Sequence, residues 1–215
     1  MTLDKEDIYD IAKAVVKVIE DKDMMKSEEN DYTSEKVQLL TLKPGDTFKV
    51  AGYEWIVLNQ FKYPQTCFCI MKDFLDNTKP FDKYCNNWKS SSLRQDLKSI
   101  GYKIEDRLDS HDALQYMERD LMALDGTKSN QTSNDKVSLL TLDEYRLYRK
   151  YLEHPAKSKS KIRWALLTAV SEYNTPCICA VDTEGIIKYC NCNISLGIRP
   201  VCTFISDVVV EKVGS

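Results

Sequence analysis

Near the amino end, apolar residues fall at Ile8, Ile11, Ala12, Val15 and Ile19, the spacing that gathers side chains on one face of an α-helix. Asp4, Glu6, Asp7 and Asp10 crowd the start of this stretch, where carboxylates complement the helix dipole. The pattern predicts an amphipathic helix from Asp4 to Asp21 within an N-terminal unit over 1–22. The charged run "DKDMMKSEENDYTSEK" then predicts a polar linker over 23–36. The stripe of Ile8, Ile11, Val15 and Ile19 needs a cover, either the rest of its own chain or a second copy in a homodimer.

From about position 37 the period changes. "VQLLTLKPGDTFKVAGYEWIVLNQ" alternates apolar and polar residues around turns at Pro44–Gly45–Asp46 and Ala51–Gly52, and "TCFCIMKDFL" continues as a further strand. Between about Ser90 and Leu124 the pattern returns to helix. "SSLRQDLKSI" opens behind Ser90 to Ser92 as caps, and "HDALQYMERDLMAL" follows as more helix. A polar loop, Gly126 to Asp135, leads to "DKVSLLTL", which repeats six of the eight residues of "EKVQLLTL" at Glu35. So short a pair reads as two similar strand starts rather than a duplication. The second copy runs into "DEYRLYRKYLEH", a helix with Tyr145, Tyr148 and Leu152 on one side, and then into the basic loop "PAKSKSKIR". Strand patterns close the chain: "RWALLTAV", "CICAVD", a Thr183–Glu184–Gly185 turn, "IIKYCNC" and "GIRPVCTFISDVVVEKV". Strands at both ends with helices between predict one α+β domain over 37–215 whose terminal strands pair in one sheet.

Composition narrows the function. A net charge of −3 argues against direct sequence-specific nucleic-acid binding, which asks for a basic face, but suits a protein that covers a basic groove on a partner. No apolar run approaches ~18 residues, so no membrane span is expected. The charged first residues lack a signal-peptide core, which predicts a cytoplasmic protein whose eight cysteines are thiols.

Those cysteines raise a chemical question. Cys67/Cys69, Cys177/Cys179 and Cys190/Cys192 are C-x-C pairs, and period-two spacing puts both members of a pair on one strand face. Core packing is the plainer reading. The sharper one is a zinc or copper site in which Cys177, Cys179, Cys190 and Cys192 face one another across a hairpin. With His111 and His154 the only histidines, no nucleophile signature and no phosphate-binding glycine motif, the chain predicts neither catalytic residues nor a cofactor. The residues that look most specific are Trp88, Ser91 and Arg94 at a helix start, Trp164 at a strand start, and Arg199 in an apolar strand. They are read either as polar anchors that lock helix to sheet or as a small-molecule or glycan pocket. Arg199 demands a buried acceptor.

In order, "GDTFKVAGYEWIVL", "WKSSSLRQDL", "DKVSLLTLDEY", a Trp-led strand, "DTEGII" and "GIRPV" resemble a domain family of low-GC Gram-positive bacteria and their phages, over roughly Val37 to Phe204. The "LGIRPV" ending is also similar to that of formylglycine-generating-enzyme and C-type-lectin-like folds. The resemblance implies a lectin-like domain of twisted antiparallel strands with helices inserted between the terminal strands and with variable loops for binding. The oxidase branch of that superfold binds copper through two cysteines before its last glycine-arginine strand; Cys190 and Cys192 precede "LGIRP" but at strand spacing. The resulting expectation is a non-enzymatic binding protein of a phage or mobile element. It would act in a bacterial or phage-infected cell by binding and inhibiting a host protein complex such as a CRISPR-type defence complex.

Overall fold

The computed structural model describes residues 35–128, 131–152, 162–173 and 176–213. The expected helix at 4–21, its Ile8, Ile11, Val15 and Ile19 stripe, most of the 23–36 linker and most of the basic "PAKSKSKIR" loop lie outside the described residues. Among the described residues no helix is long and apolar enough to cross a membrane.

The architecture is mostly antiparallel β-sheet with few helices. Strands β1 (Lys36–Gln38), β2 (Thr47–Val50), β3 (Tyr53–Lys62) and β4 (Gln65–Met71) are followed by helix α1 (Ser92–Arg107). Short strands β5 (Leu114–Gln115), β6 (Met117–Asp120), β7 (Thr132–Asp135) and β8 (Val137–Ser138) lead to helix α2 (Leu142–Tyr148). Then come β9 (Trp164–Ala169), β10 (Cys177–Val181), β11 (Ile187–Asn191), β12 (Val201–Ile205) and β13 (Val209–Lys212). The main sheet runs β1-β13-β2-β3-β4-β12-β5, with β8 also paired to β12; β9-β10-β11 form a second sheet and β6-β7 a third. The first and last strands of the described residues do pair in one sheet: Lys36 stands opposite Glu211 and Gln38 opposite Val209. Two turns follow the sequence closely. Ala51 (φ 54°) and Gly52 (φ 80°) make the two-residue β2–β3 loop, in which both positions are left-handed as a tight hairpin requires.

The core has two halves. On one face of the main sheet Phe48, Trp55, Val57, Cys69, Cys202 and Phe204 meet Leu93, Leu97, Ile100 and Ile104 of α1. Phe204 stands edge-on to both Phe48 and Trp55, with centroids 5.6 and 5.5 Å away, the arrangement that aromatic quadrupoles favour. On the other face Ile56, Leu58, Phe68, Ile70 and Val201 meet Tyr145 of α2 and Trp164 and Leu166 of β9. A sheet covered on both faces explains why Thr66–Met71 is buried at every position and shows no alternation.

The structure corrects the middle of the chain. Helix α1 ends at Arg107, and "HDALQYMERDLMAL" contains β5 and β6 rather than more helix. Leu114, Met117 and Leu121 fit a helical spacing, but over Met117–Asp120 burial alternates strictly, with Met117 and Arg119 inward. An arginine on an inward strand position is invisible as a core residue until its partner, Glu144 of α2, is known.

Candidate binding surface

Trp88, Ser91 and Arg94 meet, but in the interior. Ser91 caps α1, its Oγ accepting from the Arg94 backbone N–H at 3.2 Å and donating to the Trp88 carbonyl at 3.0 Å. The buried carboxylate of Asp135 then joins helix to strand: Oδ1 takes the Arg94 Nε–H at 2.6 Å, and Oδ2 takes the Trp88 indole N–H at 2.9 Å and the Ser133 hydroxyl at 2.7 Å. Trp88 is buried against Phe81, so no ligand reaches its ring.

Trp164 and Arg199 form a second buried anchor. The Arg199 guanidinium lies 5.2 Å from the Trp164 ring centroid and its Nε donates to the Met71 carbonyl at 3.1 Å. Burial pulls its pKa down to about 10, opposed by the negative charge of Asp73, so it stays cationic at neutral pH. Tyr145 stands edge-on to Trp164 and donates through its hydroxyl to the Gly185 carbonyl at 2.9 Å. The "GIRP" stretch threads this anchor. Gly197 passes against the Phe74 ring where any side chain would intrude, and the Pro200 carbonyl accepts from Met71 N–H. A glycan or small-molecule pocket on Trp88, Arg94, Trp164 and Arg199 is therefore not formed: both tryptophans and Arg199 are core.

The four-thiol arrangement is not formed either. In the β10–β11 register Ile178 stands opposite Cys190 and Cys179 opposite Tyr189, so Cys179 and Cys190 point to opposite faces. Cys179 sits in the core half of Trp164, whereas Cys190 and Cys192 sit in the half of Trp55. Among the described residues no group of three or more His, Cys, Asp or Glu is placed to hold a metal ion. Burial pushes the Cys179 thiol up to about 11, and pushes Cys69 and Cys202, cross-strand neighbours in the main sheet, well above the ordinary thiol range.

What the sequence reading missed is a cleft of about 370 Å³ where the β3–β4 hairpin overhangs β6 and α2. Phe61, Tyr63, Phe68, Tyr116 and Tyr148 supply its aromatic walls. Tyr63 at the hairpin tip is 93% exposed, Tyr116 between β5 and β6 is 69% exposed, and Phe61 is 44% exposed. The floor is a locked ion pair. Arg119 Nη1 and Nη2 reach the two Glu144 carboxylate oxygens at 2.8 and 2.5 Å, and Nη2 also donates to the Leu139 carbonyl at 2.8 Å. Glu144 is held in turn by a capping box: its Oε2 accepts from Thr141 N–H at 2.8 Å, and Thr141 Oγ1 accepts from Glu144 N–H at 3.1 Å. Tyr116 also lines a second cleft of about 220 Å³ beside Tyr102, Glu105 and Lys136. There Lys136 bridges Glu105 at 2.5 Å and the Tyr116 ring at 5.3 Å. The signal for this surface was present in "FKYPQ", aromatic residues placed at a strand-to-strand turn where polar residues are the rule.

Comparison of the chain with family models, with curated proteins and with solved structures returned no match.

Proposed function

We propose that this protein is a non-enzymatic protein-binding module and that its partner docks on the aromatic surface around Tyr116. The observation that carries the reading is the exposure of Tyr63, Tyr116 and Phe61 around one cleft, at the tip of the β3–β4 hairpin and at the β5–β6 junction. Large rings left in water at one place mark interaction sites. Tyrosine in particular supplies wide contact at low entropic cost and is enriched where binding energy concentrates. The Arg119–Glu144 pair supports the same role, because each group satisfies the other and fixes the wall of the cleft before a partner arrives.

The lectin-like plan implied by the closing "GIRPV" fits a scaffold that presents loops. The likeness to phage-borne domains and the net charge of −3 favour a host protein complex, such as a CRISPR-type defence complex, as the partner. The test is affinity capture from nuclease-treated Gram-positive lysate with the wild type and with a Tyr63→Ser, Tyr116→Ser variant. A stoichiometric protein held by the first and lost by the second is the expected result. A partner retained by both, or no partner for the wild type, overturns the proposal.

A further inference from the structure

The chemistry of the larger cleft says more than that it is aromatic. Its charged lining residues are one cation, Arg119, and two carboxylates, Glu118 and Glu144. Arg119 and Glu144 neutralise one another through two hydrogen bonds. Glu118 is left over. It is an exposed residue on the outward side of β6, and among the described residues it has no ion-pair or hydrogen-bond partner. The free charge of the cleft is thus negative, and the walls are the faces and edges of tyrosine and phenylalanine rings, whose π-clouds attract cations.

An anionic ligand has little to bind. Three of the five guanidinium N–H groups of Arg119 are committed to Glu144 and Leu139, and the side chain is only 4% exposed. Its Nε is buried and, among the described residues, without a hydrogen-bond partner, with the Phe68 ring centroid 5.9 Å from the guanidinium carbon. A carboxylate would have to break the Arg119–Glu144 pair and then lie beside Glu118. A cation meets neither obstacle. The second cleft beside Tyr116 already shows the pairing in miniature, with Lys136 held between a carboxylate and the same tyrosine ring.

We infer that the larger cleft receives an arginine side chain from a basic segment of the partner protein, its guanidinium stacked on Tyr116 or Tyr63 and bonded to Glu118. Arginine suits the site better than lysine because its planar head stacks on a ring while its edge donates in a fork to a carboxylate. This rests on the protein-binding reading above and gives it a chemical specificity.

The inference is tested with the full chain and three small probes, N-acetyl-arginine methylamide, its neutral isostere N-acetyl-citrulline methylamide, and N-acetyl-glutamate methylamide, titrated by NMR on the ring resonances of Tyr63 and Tyr116. Arginine should perturb these rings at concentrations about two- to fivefold lower than citrulline, the span given by an exposed cation–π contact. Glu118→Gln, an exposed change that spares the fold, should remove about the same factor for arginine and leave citrulline unchanged. Equal binding of arginine and citrulline, tighter binding of glutamate, or no effect of Glu118→Gln overturns the inference. Capture lost with the tyrosine variant while arginine and citrulline bind alike would sink the cation specificity and leave the protein-binding reading standing. Arginine preferred, with capture indifferent to the tyrosines, would do the reverse.

Discussion

Replacing Asp135 by alanine should be the most damaging single change near α1. Its carboxylate accepts three side-chain bonds, from Arg94 at 2.6 Å, Trp88 at 2.9 Å and Ser133 at 2.7 Å, in a site where Asp135 itself is 6% exposed. Removing one member of a buried ion pair costs about 3–5 kcal/mol, because the other charge is left without compensation. Arg94 keeps its bonds to the Lys89 and Asn134 carbonyls at 3.1 and 3.4 Å, which favours the lower end. The orphaned Trp88 indole N–H acts the other way, at about 1–3 kcal/mol for a buried donor without a partner. These terms overlap, and about 3–4 kcal/mol is the expected loss. With a urea m-value of about 2 kcal/mol/M, the midpoint of unfolding moves down by about 1.5–2 M at unchanged slope. The double change Asp135→Leu with Arg94→Met should cost less than Asp135→Ala alone, since no charge is then stranded. A midpoint shift below about 0.5 M for Asp135→Ala would refute the reasoning, because it would mean that water already solvates this network.

Gly197→Ala places a methyl 3.0 Å from the Phe74 ring; that ring is half-buried and able to give way, so a loss of about 1 kcal/mol is expected in thermal unfolding, and an unchanged melting temperature would contradict the close approach. Native-state alkylation with iodoacetamide, read by mass spectrometry, should label half-buried Cys85 well before Cys69 and Cys202, and equal rates would contradict their burial. Because burial raises the Cys69, Cys179 and Cys202 thiols above their unfolded value of 9.0, the folded chain holds protons that the unfolded chain has released. Stability from these thiols is therefore complete below pH 9 and is lost as pH rises toward the folded-state value of about 11 for Cys179. A melting temperature flat over that range would contradict it. Tyr63→Ser should leave stability within about 0.5 kcal/mol, since 93% of the ring's residue surface is already in water; a larger loss by urea titration would make Tyr63 a structural residue.

What could be read in the sequence was local and periodic. Helix α1 was legible because Ser91 caps it and Leu93, Leu97, Ile100 and Ile104 keep helical spacing. The β2–β3 hairpin was legible from Ala51–Gly52, and the pairing of the domain's first and last strands from the strand patterns at its two ends. Where burial depends on a distant partner the pattern misleads. Arg119 is buried through Glu144, twenty-five residues on, so "YMERDL" passed for an amphipathic helix. Trp88 and Arg94 could be read as helix-to-sheet anchors or as a ligand pocket, because Asp135, forty-seven and forty-one residues away, could not be assigned to them in advance. The register of β10 against β11 decides which faces the cysteines share, and a shift of one residue reverses that answer, so spacing alone could not exclude a four-thiol site. The aromatic cleft joins a hairpin, a two-residue strand and α2, an assembly that no local window contains.

The central claim is that partner binding resides in the exposed tyrosines around the larger cleft. The most direct measurement compares capture from one nuclease-treated lysate by the wild type, by Tyr63→Ser with Tyr116→Ser, and by Tyr173→Ser, a tyrosine 73% exposed that does not line the cleft. The account predicts the same stoichiometric protein with the wild type and the Tyr173 variant and its loss, by about thirtyfold or more in affinity, with the double variant. Equal capture by all three would contradict it.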